Sequence, residues 1–231
     1  MVLAPDSKTL VSIDPATERP VGEVPIASES DVRAAVDGAR RAQPAWAARP
    51  IESRAAILLR AAELLEGRAE EFARLVTREE GKILSESRAE AKDAAARIRY
   101  FAEVGPRHLA SREERAPGVR GLVEYVPIGV VAAIKPWNFP VQIPLWTIAP
   151  ALLAGNAVVL KPSELTPLVG DALARLFHEA GVPPAVLAVV QGADEVGAAL
   201  VRAPVDMIGF VGSQAAGSSI ASQAGRDLKR V

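Results

Sequence analysis

The chain contains no cysteine and only two histidines among its 231 residues. Without cysteine, this sequence cannot form a disulfide, offer a thiolate ligand to a metal or supply a cysteine nucleophile. The histidines, His108 and His178, lie far apart along the chain, so we expect no dedicated metal site. These absences exclude several classes of active site from this sequence.

The chain also lacks an excess of either charge. Its 27 basic and 28 acidic side chains give a formal net charge of -1, and no basic run is interleaved with aromatic residues. We therefore expect no nucleic-acid partner. The N-terminus has no basic segment followed by an apolar core, so no signal peptide is expected and the predicted location is cytoplasmic.

One uncharged stretch, residues 136–160, is long enough to span a bilayer. It is interrupted by four prolines and three side-chain amides, which would leave polar groups unpaired in lipid. The stretch is therefore predicted to be a buried loop, helix and strand, and no membrane partner is expected.

Residues 1–118 are predicted to form an irregular arm and a helical layer that packs on the next domain. Residues 1–27 are interpreted as irregular, with a turn at Asp14-Pro15 and a strand-like segment at 21–26. Ser28 and Asp31 form a capping-box pattern that begins the first helix. A second helix is expected to begin at Pro50, and a third is expected to end near Gly81. A fourth helix is expected to run over residues 84–104.

Residues 107–118 carry charges of both signs and are predicted to be a surface loop. Residues 119–127 form a separate short unit, with a strand predicted at 119–126. A third unit, residues 128–231, is interpreted as an incomplete dinucleotide-binding sheet.

Buried strands alternate with helices in this third unit. The strands are predicted at residues 129–134, 157–160, 185–190 and 207–211. The helices are predicted at residues 140–155, 166–181, 195–201 and 213–224, with Thr166 and Ser213 as N-caps. This alternation indicates an α/β fold, a Rossmann-like parallel sheet with helices on both faces. Residues 228–231 are interpreted as the entrance to a fifth strand.

Polar residues and glycines follow each of these strands. Ligands of open parallel sheets bind at the carboxyl ends of the strands, so these segments are candidates for a nucleotide pocket. None of the glycine patterns is the Gly-x-Gly-x-x-Gly fingerprint. The segments are residues 135–140, 161–164, 191–192 and 212–213.

Five segments together resemble the aldehyde dehydrogenase superfamily. They match its signatures in order and spacing, from about residue 12 to the end of the chain, but they cover only about the first half of a typical member. The segments are residues 136–140, 149–156, 161–164, 179–184 and 210–213.

The resemblance implies an oxyanion-hole role for Asn138, whose side-chain amide would donate a hydrogen bond to a developing negative charge. The alternative is that Asn138 only caps the turn before Pro140. Ile134, Pro136 and Trp137 would line the cofactor groove, while Trp137 also contributes to packing.

Lys161 and Glu164 resemble the pair that binds the adenosine ribose, and a carboxylate there favours NAD over NADP. Gly212 and Ser213 resemble the pyrophosphate site at a helix N-terminus, where Ser213 can also act as a plain N-cap. The resemblance further assigns cofactor contacts to two glycines, with helix packing as the alternative for the second. They are Gly192 and Gly197.

Two positions depart from the family's pattern. The family often has Thr where this chain has Val211, and Lys where it has Thr147. Members of the family also continue past the equivalent of Val231 into the segment that carries the general-base glutamate, and further on into the cysteine nucleophile. The resemblance therefore implies that this chain alone does not oxidise an aldehyde.

Three interpretations are open at this stage. The chain is a cofactor-binding half with dehydrogenase ancestry, one chain of a split enzyme completed by a complementary chain, or a non-catalytic nucleotide-binding subunit. The expected partners are a small aldehyde, if a C-terminal half completes the site, and either further copies of this chain or the complementary chain. The strand within residues 119–127 resembles part of the family's oligomerisation sheet, so the resemblance implies that this unit is an oligomerisation strand.

Overall fold

The computed structural model describes residues 9–231. It begins with an antiparallel hairpin of β1 (Thr9–Ile13) and β2 (Pro20–Pro25). The Asp14 carboxylate accepts a hydrogen bond from the Ala16 amide at 2.8 Å, which confirms the predicted turn. The first strand was not foreseen, and the part of the predicted irregular arm before residue 9 lies outside the described residues.

Four helices follow, as the sequence predicts: α1 (Glu29–Ala47), α2 (Ile51–Gly67), α3 (Ala69–Glu80) and α4 (Leu84–His108). The capping box at Ser28 and Asp31 is present, with each residue accepting a hydrogen bond from the other's backbone amide. α3 ends at Gly81, whose φ of 82° is left-handed and favours glycine.

The fourth helix is longer than predicted, because the Gly105-Pro106 pair does not end it. The Leu109 amide still donates to the Gly105 carbonyl at 2.9 Å. Gly105 lies against another helix, where an added Cβ would stand only 2.1 Å from Leu153 Cδ2. The glycine therefore serves close helix packing rather than termination.

The prediction of a surface loop over residues 107–118 is wrong. β3 (Arg112–Ala116) and β4 (Val119–Val123) form an exposed antiparallel hairpin, joined by a turn in which Gly118 has a φ of 73°. The Pro117-Gly118 dipeptide was the turn signal in the sequence. The predicted strand at 119–126 is present, but it ends at Val123.

The central sheet contains β5 (Val130–Ile134), β6 (Ala157–Lys161), β7 (Leu187–Val189) and β8 (Met207–Phe210), all parallel, in the order β7-β6-β5-β8. β5 and β6 are buried along their whole length, which is why they contain no polar alternation. β7 is shorter than predicted because the Val186 amide turns back to the Pro183 carbonyl.

The helices of this unit are α5 (Gln142–Leu153), α6 (Pro167–Ala180), α7 (Asp194–Arg202) and α8 (Gln214–Arg226). α5 and α6 cover one face of the sheet and are themselves covered by α2, α3 and α4, whereas α1 and α7 pack together and α8 lies on α7. The buried side chains form a single core that runs through these layers. The α/β fold with helices on both faces is confirmed.

Thr166 does not cap α6, contrary to the sequence-based prediction. Its hydroxyl is buried and has no hydrogen-bond partner among residues 9–231. The first amides of α6 are bound instead by the buried carboxylate of Glu79 on α3, at 3.0 Å from the Leu168 nitrogen and 2.8 Å from the Val169 nitrogen. A carboxylate suits this place because helix N-termini favour negative charge.

The last residues of the chain return to the sheet beside β8. Arg230 forms a parallel bridge with Met207, in agreement with the predicted entrance to a fifth strand. Lys229 holds this segment by donating to the carbonyls of Val201 and Ala203. Across residues 9–231, no helix combines the length and apolarity that crossing a bilayer requires.

Candidate functional site

The strand order reverses between β5 and β8. The chain passes outward from β5 through β6 to β7, and then crosses to the opposite side of β5 to form β8. Such a reversal leaves a crevice at the carboxyl ends of the two inner strands, where open α/β sheets bind their ligands. The candidate site is therefore expected beyond Ile134 and Phe210.

A cavity of about 490 Å³ lies at this place, between α7 and α8. It brings together four of the residues that the sequence nominated, which are Ile134, Lys161, Gly197 and Ser213. An added Cβ at Gly197 would stand 3.6 Å from Lys161 Cδ, which is an ordinary van der Waals contact. The glycine therefore relieves no clash, but the absence of a side chain leaves more space on this side of the cavity.

The N-terminus of α8 lies at one end of this cavity. Ser213 Oγ accepts from the Ala216 amide at 3.2 Å, which confirms its predicted N-cap role. Helix N-termini bind anions through their free N–H groups and the helix dipole. A Cβ at Gly212 would stand 2.5 Å from Phe210 Cζ, so the Phe210 ring would have to shift to admit a larger residue there.

Lys161 and Glu164 lie close together after β6. Lys161 is buried and donates to the Pro162 carbonyl at 2.8 Å, and its Nζ is 3.6 Å from Glu164 Oε2. Burial lowers the pKa of Lys161, while the Glu164 carboxylate opposes this effect. The pair presents a cation at the cavity and a partly exposed carboxylate beside it.

Trp137 and Glu164 line a second, smaller cavity of about 260 Å³, against β1 and the end of α3. The structure therefore places Trp137 beside a different cavity from Ile134. Pro136, which lies between Ile134 and Trp137 in the sequence, is half-buried.

Gly192 has a φ of 146°, and a Cβ there would stand 2.4 Å from Val196 Cγ2, so Gly192 packs closely on α7.

Asn138 is exposed on the loop between β5 and α5. Among residues 9–231, its side-chain amide forms no hydrogen bond, whereas its backbone carbonyl accepts one from Lys82 Nζ at 2.7 Å. The amide is therefore free to meet a ligand. The alternative interpretation, in which this side chain caps the turn before Pro140, finds no such hydrogen bond.

A buried charge cluster lies behind this loop. Lys82 Nζ is 2.6 Å from Glu90 Oε2 and 3.4 Å from Glu80 Oε2. Burial raises the pKa of Glu80 to about 7, an effect that Lys82 opposes and Glu90 reinforces. Below this pKa, protonation of Glu80 leaves the cluster of one cation and two carboxylates electrically neutral.

Lys135, which directly follows β5, is a third buried lysine of the site region. Its Nζ donates to Thr147 Oγ1 at 2.7 Å, and burial lowers its pKa to about 8. Thr147 in turn lies against β8, because Gly209 has no Cβ to collide with it. Thr147, which stands where the family often has Lys, thus accepts a hydrogen bond from the lysine that directly follows β5.

Several functional residues were not found by sequence reasoning. α8 supplies cavity residues that the sequence did not distinguish from ordinary helix residues, among them Ala216, Ser219, Ile220 and Gln223. Phe210 and Asp194 also line the cavity. Glu90 did leave a signal, since a carboxylate occurs on the buried face of α4 beside Ala91 and Ala94.

Comparison with known proteins identifies the family. The family model described as the aldehyde dehydrogenase family matches residues 2–231. The chain belongs to the aldehyde dehydrogenase family. This agrees with the resemblance carried by the segments around Asn138, Lys161 and Ser213.

Two individual relatives match more than nine-tenths of this chain. The 3,6-anhydro-alpha-L-galactose dehydrogenase of Streptomyces coelicolor is 46% identical over 93% of this chain and 44% of its own length. The crystal structure of PnpE with nicotinamide adenine dinucleotide superimposes with a TM-score of 0.92 at 36% identity, over 96% of this chain and 46% of that one.

A third relative was solved with the other dinucleotide. The NADP-dependent glyceraldehyde-3-phosphate dehydrogenase of Bacillus halodurans, complexed with NADP, gives a TM-score of 0.90 at 33% identity, over 95% of this chain and 48% of that one. The family thus includes members bound to NAD and members bound to NADP. This chain spans about half the length of the relatives it matches.

Proposed function

We propose that this chain is the dinucleotide-binding half of an NAD(P)-dependent enzyme that oxidises an aldehyde to a carboxylic acid. The observation that supports this proposal most strongly is the cavity at the strand-order reversal. Ile134, Lys161 and Ser213 line this cavity at the N-terminus of α8. The thiol nucleophile and the general base would come from residues outside this sequence. A cytoplasmic location stays a prediction.

The cavity suits a dinucleotide in its chemistry. The N-terminal amides of α8 can receive the pyrophosphate, and Lys161 with Glu164 offers a donor and an acceptor for ribose hydroxyls. The absence of a side chain at Gly197 leaves room for the cofactor beside α7. When bound, the dinucleotide would accept a hydride from the substrate.

Asn138 would act on the aldehyde half of the reaction. An amide N–H on the loop that follows β5 can donate to the oxygen of a tetrahedral intermediate, and such donors typically lower the barrier by several kcal/mol. The proposal is supported by the exposure of this side chain and by its lack of any other hydrogen-bond partner among the described residues.

NAD is the proposed cofactor, with NADP as the alternative. The Glu164 carboxylate would accept hydrogen bonds from ribose hydroxyls but would repel the additional phosphate of NADP. Lys161, close beside it, would attract that phosphate, so the balance between the two side chains decides the preference.

The exposed hairpin is the proposed contact with further copies or with a complementary chain. Large apolar side chains that project into solvent on and after this hairpin are Val119, Leu122, Tyr125 and Val126. An apolar exposed patch of this kind is typical of a protein–protein interface.

Calorimetric titration of the purified chain with NAD and NADP tests the cofactor proposal. We expect saturable binding that favours NAD, loss of binding of both dinucleotides in Lys161→Met, and a preference for NAD that falls about tenfold in Glu164→Gln, or about 1.4 kcal/mol. Glu195→Gln is the matched control, because this exposed carboxylate lines neither the cavity between α7 and α8 nor the smaller cavity that Glu164 lines. A Glu164→Gln variant with unchanged preference would contradict the role of that carboxylate.

A further inference from the structure

The start of α5 is bound by a residue from a different helix. Its N-cap residue, Val141, has no side chain that can accept a hydrogen bond. The amides of Val141 and Gln142 donate instead to Glu90 Oε1 on α4, at 2.8 and 3.1 Å. The position at which α5 begins is therefore set by a carboxylate outside the loop.

Lys82 binds the same loop at Asn138 and Phe139. Its Nζ contacts the Asn138 carbonyl at 2.7 Å and Glu90 Oε2 at 2.6 Å, and it lies 4.0 Å from the centre of the Phe139 ring. The ammonium thus combines two charge-assisted hydrogen bonds with a cation–π contact. The loop is held at residues 138, 139, 141 and 142 by one ion pair.

This ion pair is buried, with side-chain exposures of 7% for Lys82 and 0% for Glu90. A buried ion pair rarely adds stability over an apolar replacement of the same shape, because both charges lose their hydration. Its hydrogen bonds do fix a unique geometry. A gain in stability therefore does not explain why these two positions carry charged side chains. The need to hold a loop in one defined position does explain it.

We propose that Lys82 and Glu90 are positioning residues that hold the Asn138 amide in the orientation required for binding a developing oxyanion, an inference that rests on the proposed role of Asn138. Lys82 fixes the peptide plane that follows Asn138, and Glu90 fixes the first turn of α5. The Cα–Cβ direction of Asn138 is thereby set before any ligand arrives, which is the pre-organisation that oxyanion stabilisation requires.

The competing explanation is a general clamp that only packs α4 against α5. Such a clamp would lower the free energy of unfolding when it is removed, but in the folded state Asn138 would keep its orientation. Removal of a positioning residue would instead change the native environment of the Asn138 side chain and loosen the amides of Val141 and Gln142.

Nuclear magnetic resonance of the ¹⁵N-labelled full chain separates these explanations. Glu90→Gln and Lys82→Met are expected to broaden or split the side-chain amide signals of Asn138. They should also accelerate hydrogen exchange of the Val141 and Gln142 amides at least tenfold, with the amides of β5 and β6 unchanged. Lys82→Arg keeps the charge and should restore the wild-type signals. Arg88→Met, which removes an exposed ion pair between α4 and Glu70 of α3, is the control.

Folded Glu90→Gln with one sharp, unshifted pair of Asn138 signals and wild-type exchange at Val141 and Gln142 would overturn the proposal. If that variant does not fold, the same criteria apply to Lys82→Met. The wild-type chain must also show one sharp pair of Asn138 signals, and a broad or multiple pair there would overturn the proposal whatever the variants do. No cofactor is needed, so a failure of dinucleotide binding is seen separately by calorimetry.

Discussion

Single residues at the end of β5 show how burial sets the properties of charged groups. Lys135 is almost fully buried, and its ammonium donates to a neutral hydroxyl on Thr147. Transfer of the charged form out of water is costly, which is the cause of its lowered pKa of about 8. The partner of the buried Lys82 ammonium is instead a charged group, since Glu90 Oε2 lies 2.6 Å from Lys82 Nζ.

Lys135→Met is expected to raise the free energy of unfolding at pH 7 by about 2–3 kcal/mol, since one pKa unit corresponds to about 1.4 kcal/mol. Below pH 8 the lysine is charged in both states and its burial penalty is fully present. Between pH 8 and the ordinary lysine pKa of 10.5, the unfolded state binds more protons, so wild-type stability rises with pH and the advantage of the variant shrinks.

Urea unfolding at pH 7 and pH 9.5 measures this difference. Lys92→Met is the matched control, because Lys92 is exposed on α4 and its removal should change stability little at either pH. A stability gain of Lys135→Met that is the same at both pH values would contradict the assignment of a depressed pKa.

Among the elements, the start of a helix is where sequence reasoning both succeeds and fails. Ser28 and Ser213 are N-caps as predicted, because the capping residue is adjacent to the helix it serves. α5 and α6 are capped by Glu90 and Glu79, about 50 and 90 residues earlier in the chain. Local patterns contain no information on such distant partners.

Thr166→Val is therefore expected to raise the free energy of unfolding by about 1 kcal/mol, since a buried hydroxyl without a partner is removed. Glu79→Gln is expected to lower it by about 1–3 kcal/mol, because one of the acceptors of the Leu168 and Val169 amides is replaced by an amide donor. Thermal or urea unfolding of both variants provides the test. A loss of about 1 kcal/mol in Thr166→Val would show that the hydroxyl does cap α6.

The order of the sheet could not be predicted in the same way as its strands. Buried, uncharged segments identify β5, β6 and β8, since their length and composition fit strands covered on both faces. The order β7-β6-β5-β8 depends on contacts between distant segments. β3 was missed because its charged side chains, Arg112 to Arg115, are typical of a loop, although Pro117-Gly118 marks the turn that joins it to the predicted strand β4.

For the whole molecule, the site emerges from the sheet rather than from any one motif. Four strand ends were nominated from the sequence, but only the reversal between β5 and β8 brings Ile134, Lys161, Gly197 and Ser213 to one cavity. Trp137, nominated with them, lines the smaller cavity against β1. Which strand ends converge is thus a property of topology, which the motifs alone do not contain.

The central claim is that the dinucleotide binds in the cavity between α7 and α8. Hydrogen exchange of the full chain with and without saturating NAD measures it directly. We predict slower exchange at the first amides of α8, Gln214 and Ala215, and at the ends of β5 and β8, with the β3–β4 hairpin unchanged. Exchange that NAD leaves unaltered, or that slows only around Trp137 and β1, would contradict the account.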